Sequence, residues 1–463
     1  MAETSELVAL TPLDHAIAKF YLPYILHFNT PDTKIALHTI EHGIKKLACH
    51  LPWLAGDVIF RDEPCGPQNK GYIVSPHSLP EALPMLRVKH FYSDEEFDAH
   101  PVQAYLPLPC LIPVSQQRPV LRFQANVFPS KIIFVMSFMH AAMDGTGAGI
   151  VLQALAECCK ATDGNPGTVT ASIAKNEVKI RQEVSSWPLK YETRLDHSLE
   201  LGPPVFDSSI TSEQWAAMEA AMSSVVKMKK FTFSPQKISQ VKEACNKFLP
   251  EFQLSSFVSS NDIITAILGI CIDRAQHPMG ASQNENATVT MTVDLRNRVN
   301  PPLSSTSVGN MSFPIRNNIH FPRLKQASVR DGIEADFLHL TQLALQLRSK
   351  LGSMNESFAY SVSAAVAARG DWCSVEAKPG DVIVTSWRHL KVFSVDFGEG
   401  LGKIYDFDAG LSLVPGACIL MPLKAQENAF EGQSAVPWEA SITMKAGDFD
   451  ILVNDPLFSR VLA

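Results

Sequence analysis

The sequence predicts an α/β (α+β) fold in two domains, and three observations carry that reading. At 463 residues the chain exceeds the length at which a single hydrophobic core stops growing. Segments with strand-like alternation and segments with helical spacing interleave in both halves. Between Ser185 and Glu213 the periodicity fades into scattered charges and the adjacent prolines Pro203 and Pro204, which suits a long crossover. The expected division is therefore 1–185, a linker over 186–213, and 214–463.

Taken in order, apolar residues at helical spacing predict a helix from Ile35 to Leu51, stopped by Pro52 and followed by a turn into a strand at Leu54–Phe60. Lys131–Met139 (KIIFVMSFM) is a continuous apolar run, the pattern of a strand buried on both faces. Asp144-Gly145-Thr146-Gly147 supplies turn chemistry, and Ile150–Lys160 has the spacing of a core-packed helix. In the second half, Met228–Phe233 reads as a strand, and the following helix runs to Lys247 with Ser234 as cap and Pro235 in its first position. Helices are expected at Asn261–Arg274 and Ser328–Ser349, and strands at Thr288–Leu295, Asp381–Ser386 and Lys391–Val395.

Composition excludes several classes of function. Hydrophobic residues make up 46% and charged residues 19%, which is ordinary globular usage. The formal charge of −7 arises from 40 basic and 47 acidic residues spread along the chain, so nucleic acid is not an expected partner. Nine cysteines without CxxC spacing read as free thiols and predict no metal site. The first residues lack a charged segment followed by a long apolar one, and no run of about 18 apolar residues occurs. The expectation is a cytoplasmic protein without a membrane partner.

Chemistry concentrates at His140-Ala141-Ala142-Met143-Asp144-Gly145. A histidine at the exit of a buried strand can project into a cleft while the sheet holds its backbone, as a general base requires. An imidazole is largely neutral near pH 7 and accepts a proton from a hydroxyl or amine without help from a metal. A histidine in that place also serves as a satisfied structural residue, and the motif alone leaves both readings open. Asp144, four residues on and past a turn, is placed to brace backbone. Gly145, Gly147 and Gly149 miss the dinucleotide GxGxxG spacing, and no GxxxxGK[ST] occurs.

A second cluster follows some 250 residues later: Thr385-Ser386-Trp387, then Asp396-Phe397-Gly398-Glu399-Gly400. Together with the HxxxDG segment these resemble the BAHD acyltransferase family, which carries HxxxDG, a TSW strand and DFGWG. Leu51-Pro52-Trp53-Leu54-Ala55-Gly56 is similar to its LPxLAG, and Asp294-Leu295-Arg296-Asn297-Arg298 with Pro301-Pro302-Leu303 and Gly309-Asn310 to its DxRxRxxPPL…GN. The start, Leu10-Thr11-Pro12-Leu13-Asp14-His15, is similar to the fungal branch that includes trichothecene O-acetyltransferases. The resemblance runs nearly end to end and departs from the family at Glu399, where tryptophan is usual.

What the resemblance implies is specific. The fold would be two chloramphenicol-acetyltransferase-like domains, each a mixed sheet flanked by helices, with an active-site channel at their interface that acyl-CoA and the acceptor enter from opposite faces. His140 would be the general base. Asp144 would turn away from the reaction to pair with Arg296 or Arg298, so that Asp144, Gly145, Arg296, Arg298 and Asp396 support the site structurally. The Trp387 indole N–H would face the oxyanion, with Thr385 on the same strand face, although both residue types also serve packing. Ser259 and Ser260 match positions that touch the CoA arm, and serines at a helix start are equally caps. No permanently bound cofactor is expected, with acyl-CoA as co-substrate. The implied activity of a monomer is transfer of an acyl group, acetyl by the fungal resemblance, to a hydroxyl or amine of a secondary-metabolite acceptor.

Two other readings belong beside this one. A condensation-type enzyme takes its acyl group from a carrier protein, but its motif begins with two histidines and this chain has Met139 at the first. A catalytically retired or repurposed member would bind a small molecule or steer a non-acyl rearrangement in the same cavity, and Glu399 is the feature that suggests it.

Overall fold

The computed structural model describes all residues except 1–6, 77–84, 114–115, 162–164, 191–200, 205–209, 253–256, 279–286, 320–331, 411–413 and 425–435. Two large mixed sheets organise it. The first has five strands in the order Asp406–Asp408, Tyr21–Asn29, Lys131–Met139, Leu121–Val127 and Leu86–His90, all antiparallel except the last pair. The second has six, in the order Ser312–Ile319, Ala287–Asp294, Val382–Ser386, Ala417–Leu420, Trp438–Lys445 and Val226–Phe233. Its central strand Val382–Ser386 runs parallel to both neighbours.

Lys131–Met139 forms the strand that its apolar run predicts, with every residue after Lys131 buried. It lies between Tyr21–Asn29 and Leu121–Val127, so its last residue, Met139, pairs with Tyr21 and delivers His140 to the sheet edge. Helices Thr33–His50 and Gly145–Lys160 pack against each other and bury Ile40, Leu47, Val151 and Leu155 in the first core. The second core lies between the six-stranded sheet and helices Pro235–Asn246, Ser260–Gln276 and Ile333–Ser353. Ser234 caps the first of these by accepting from the Lys237 amide, with Pro235 behind it.

Several expectations are corrected. Helix Thr168–Lys190 runs past Ser185 and ends two residues after its internal Pro188, so the crossover starts later than the fading periodicity indicated. Its far end is a helix as well, Ser212–Val225, with a capping box between Thr211 and Gln214. Within it, Leu201–Gly202 pairs with Glu376–Ala377, while the linker residues 191–200 and 205–209 lie outside the described residues. Lys391–Val395 is not a strand: Val392–Ser394 forms a 3-10 turn that buries Val392 and Val395 in the first core. The helix expected from Ser328 is described from Ile333 onward.

Residues 387–409 leave the second sheet and cross to the first core. Trp387, Leu390, Phe397, Leu401 and Phe407 are buried there, and Asp406–Asp408 hydrogen-bonds to the strand Tyr21–Asn29. The two sheets are thereby joined by chain as well as by contact.

Candidate active site

The backbone around His140 is fixed from both sides. Its amide donates to the Phe20 carbonyl at 2.9 Å, and its carbonyl accepts from the Asn310 side-chain amide at 2.8 Å. Phe20 stands edge-on to the imidazole, with ring centroids 5.5 Å apart. The ring Nδ1 is enclosed without a hydrogen-bond partner, as is Asn310 Oδ1. Nε2 is therefore the nitrogen that faces the cleft. Burial lowers the His140 pKa below its ordinary value, and this outweighs the opposing pull of its own carbonyl, of Asp144, of the Met143 carbonyl and of Asn310. The imidazole is neutral at pH 7 and ready to accept a proton.

The cleft, of about 260 Å³, lies between the two sheets. Tyr21 and His140 come from the first sheet and its exit, and Thr290, Asp294, Ser312 and Thr385 from the second. Each sheet contributes one wall.

Asp144 turns away from this space. It caps helix Gly145–Lys160 by accepting from the Gly147 amide at 2.8 Å, and it receives both terminal nitrogens of Arg296 at 2.9 and 3.0 Å. The amides of Met311 and Ser312 add two more bonds at 3.0 Å. Burial by itself would raise the Asp144 pKa; the Arg296 charge and these five hydrogen bonds outweigh it and hold the carboxylate ionised. Arg296 also donates to the carbonyls of Ser307 and Gly309. The pair thus ties the turn after His140 to the loop that carries Asn310.

A second buried network backs the same loop. Asp14 accepts from the Asn310 amide and side chain, both at 2.9 Å, and from Arg181 at 3.0 Å. Arg181 reaches Glu177 at 2.9 Å and the Ala142 carbonyl at 2.7 Å, and Glu177 receives the amides of Val308 and Gly309. Asn310 stands between this network and His140.

Opposite His140, alternation along Val382–Ser386 sends Val382 and Val384 into the second core and turns Ile383, Thr385 and then Trp387 toward the cleft. Trp387 is 5% exposed, and its indole N–H makes no hydrogen bond to a described residue. Its ring is wedged against Tyr24 and Phe407, at 5.1 and 6.1 Å between centroids. Gly145 lies against the indole nitrogen, and its carbonyl accepts from the Tyr24 hydroxyl.

The structure brings His140, Asp144, Gly145, Thr385 and Trp387 to one cleft, with Arg296 directly behind. Others lie away from it. Arg298 donates to the Leu351 and Met354 carbonyls at the end of helix Ile333–Ser353, so Arg296 alone partners Asp144. Asp396 closes a turn by accepting from the Gly398 amide; Gly398 and Gly400 have φ of +87° and +86°, where side chains are disfavoured. The turn docks through Phe397 on Phe28, and Glu399 is exposed. Ser259 caps helix Ser260–Gln276 through the Asp262 amide, and neither Ser259 nor Ser260 lines the cleft.

Sequence reasoning missed several cleft residues. Thr146 and His389 bond to each other at 2.9 Å beside Asp294, and Cys110 lines the wall near His140 with its thiol pushed up to about 12 by burial. These come from separate loops and share no local pattern. Asn310 was visible only as part of a motif without a role. Among the described residues no group of three or more His, Cys, Asp or Glu side chains is placed to hold a metal ion, and no helix is long and apolar enough to cross a membrane.

The model of the Transferase family matches residues 89–405. The chain is 30% identical to communesin N16 acyltransferase of Penicillium expansum, covering 97% of this chain and 96% of that one. It is 29% identical to fumigaclavine B O-acetyltransferase of Aspergillus fumigatus, with the same coverage. Among solved structures it resembles F. sporotrichioides TRI101 complexed with coenzyme A and T-2, with a TM-score of 0.74 at 20% identity over 99% of both chains. Vinorine synthase shares the fold with a TM-score of 0.63 at 16% identity, over 100% of this chain and 95% of that one.

Proposed function

The chain belongs to the Transferase family, the BAHD acyltransferases whose motifs it carries, and from that premise we propose that His140 drives transfer of an acyl group from acyl-CoA to a hydroxyl or amine of a small-molecule acceptor. The observation that carries the mechanism is a neutral imidazole lining a cleft built from both sheets, with the neighbouring carboxylate engaged by Arg296 and three backbone amides.

In this reading His140 Nε2 removes the proton from the acceptor hydroxyl or amine as its oxygen or nitrogen attacks the thioester carbonyl carbon. The carbonyl electrons move to oxygen, and the Trp387 indole N–H, with the Thr385 hydroxyl two residues before it, donates to that oxyanion. Collapse breaks the carbon–sulfur bond, and the imidazolium returns its proton to the CoA thiolate. Atoms and charge balance, His140 is regenerated, and Asp144 exchanges no proton. The thioester supplies its own activation, so the scheme calls on no permanently bound cofactor.

Finer points follow from the relatives. Similarity to fumigaclavine B O-acetyltransferase supports an acetyl donor and an oxygen nucleophile, and similarity to communesin N16 acyltransferase keeps a nitrogen nucleophile beside it, with a secondary-metabolite acceptor in either case. Ser259 is engaged as a helix cap, which leaves Ser260 as the serine available to the CoA arm. One chain supplies both walls of the cleft, which supports a monomeric enzyme, and we assign it to the cytoplasm, where acyl-CoA is available. We further propose two domains along the chain, 1–185 and 214–463 with a crossover between them, to which Asp406–Asp408 adds an exchanged strand.

The test is incubation with a panel of acyl-CoAs and candidate alcohols and amines, following thiol release and product mass. His140→Ala should abolish turnover and retain CoA binding; undiminished turnover in that variant removes the proposal.

A further inference from the structure

A second, larger cavity of about 1270 Å³ lies beside the cleft. The two adjoin along three segments, Ala18 to Phe20, Cys110 with Leu111, and Glu376 with Ala377, each of which contributes residues to both. On the cavity wall sits Arg118, only 5% exposed. Its Nε is enclosed without a partner, and its guanidinium has neither a hydrogen bond nor a carboxylate among the described residues.

The other described cations of that wall are satisfied. Arg122 donates to the Leu121 carbonyl at 2.7 Å and approaches Asp57 at 4.0 Å, and Lys19 lies 3.5 Å from Glu376. Arg118 instead lies over Phe60, 4.5 Å from the ring centroid, a contact that holds the guanidinium without using its N–H donors in a hydrogen bond. Ser75 Oγ and Asp57 Oδ1, on the same wall, are also enclosed without a hydrogen-bond partner. Buried polar groups are nearly always paired, and a charged one without a partner is costly, so three such groups on one cavity wall mark a place where a ligand completes the bonding.

Taking the acyl-transfer reading as its basis, we propose that this cavity seats the body of the acceptor and that Arg118 binds a carboxylate or carbonyl oxygen on it. A guanidinium presents paired N–H donors that match such oxygens, and binding there supplies the missing acceptor. The reach is right. Arg118 is two residues from Val120, whose carbonyl receives the Met139 amide at 2.9 Å, one residue before His140. Two residues of chain and one strand spacing place the anchor within about 12 Å of that backbone, a span a compact two- or three-ring molecule covers. Ser259 and Ser260, read as the CoA side, are not on this wall.

The experiment is equilibrium binding with no acyl donor present, so that its result is independent of whether His140 transfers acyl groups. Benzoate and its cationic counterpart benzylammonium serve as probes for the wild type, Arg118→Gln and Arg118→Lys. Benzoate should bind the wild type in preference to benzylammonium, weaken at least tenfold in Arg118→Gln, and weaken less in Arg118→Lys. CoA affinity, measured in parallel, should stay within twofold in both variants, which also reports that they are folded. Benzoate affinity unchanged by Arg118→Gln overturns the assignment. So does a loss of CoA affinity in folded Arg118→Lys and Arg118→Gln, which would give the site to the donor's phosphates.

Discussion

Gly145 lies so close to Trp387 that a Cβ built on it would stand 2.6 Å from the indole nitrogen. Tyr24 and Phe407 pack against the indole, which leaves the cleft as the direction in which it can yield. Gly145→Ala should push the indole off its position, costing about 1–3 kcal/mol in packing strain. If the Trp387 N–H serves the oxyanion, kcat falls by about 10²-fold while CoA affinity holds. Trp387→Phe should give a similar loss in kcat without the strain. Steady-state rates and CoA titration check this pair; full activity in Trp387→Phe would show that the indole does not act on the reaction.

Asp144→Asn should act on the fold before it acts on the chemistry. It leaves buried Arg296 with the partly exposed Asp294, 3.2 Å away, as its charged partner, and losing the buried half of the pairing costs up to about 3–5 kcal/mol. Urea denaturation should show the loss, whereas His140→Ala should unfold close to the wild type.

Arg298→Met separates the two arginines of one motif. It removes donations to the Leu351 and Met354 carbonyls, 2.8 Å each, with an expected cost of about 1.5–3 kcal/mol. Its thermal melt should fall while kcat stays at the wild-type value, because Arg298 does not touch Asp144. A drop in kcat at a temperature where the variant is fully folded would contradict this.

The pH dependence follows from the sign of the His140 shift. Its pKa is lowered, by burial above all, and the active form is the neutral one. The pH profile of kcat/KM should therefore be flat at and above neutrality and fall as pH drops through a value below 6.5, the ordinary pKa of histidine. An ascending limb centred above neutrality would mean that the imidazole is held in its charged form.

Much of this could be read from the residues, and the pattern of failures has physical causes. Lys131–Met139 matches its predicted bounds because a nine-residue apolar run admits few alternatives once a glycine turn follows it. Ser234-Pro235 marked a helix start correctly because capping is local chemistry. Lys391–Val395 has strand composition yet forms a turn, since its apolar residues are drawn into the first core and no strand among the described residues pairs with it. The motif could not choose between Arg296 and Arg298, because only the strand end at Asp294 and the loop beyond it decide which guanidinium points at Asp144. Thr146 bonds His389, and Arg118 and Ser75 line one cavity, across long stretches of chain that leave no signature in either segment.

The three residues Asp406–Asp408 finish the edge of a sheet whose other strands were all made before residue 140. During synthesis the first sheet must therefore wait, with the flank of Tyr21–Asn29 unclosed and Phe28 lacking Phe397 as its cover, until the ribosome has delivered nearly nine-tenths of the polypeptide. A nascent chain halted after the first half would carry an open, pairing-competent edge, which makes timely completion of translation a condition for staying out of aggregates.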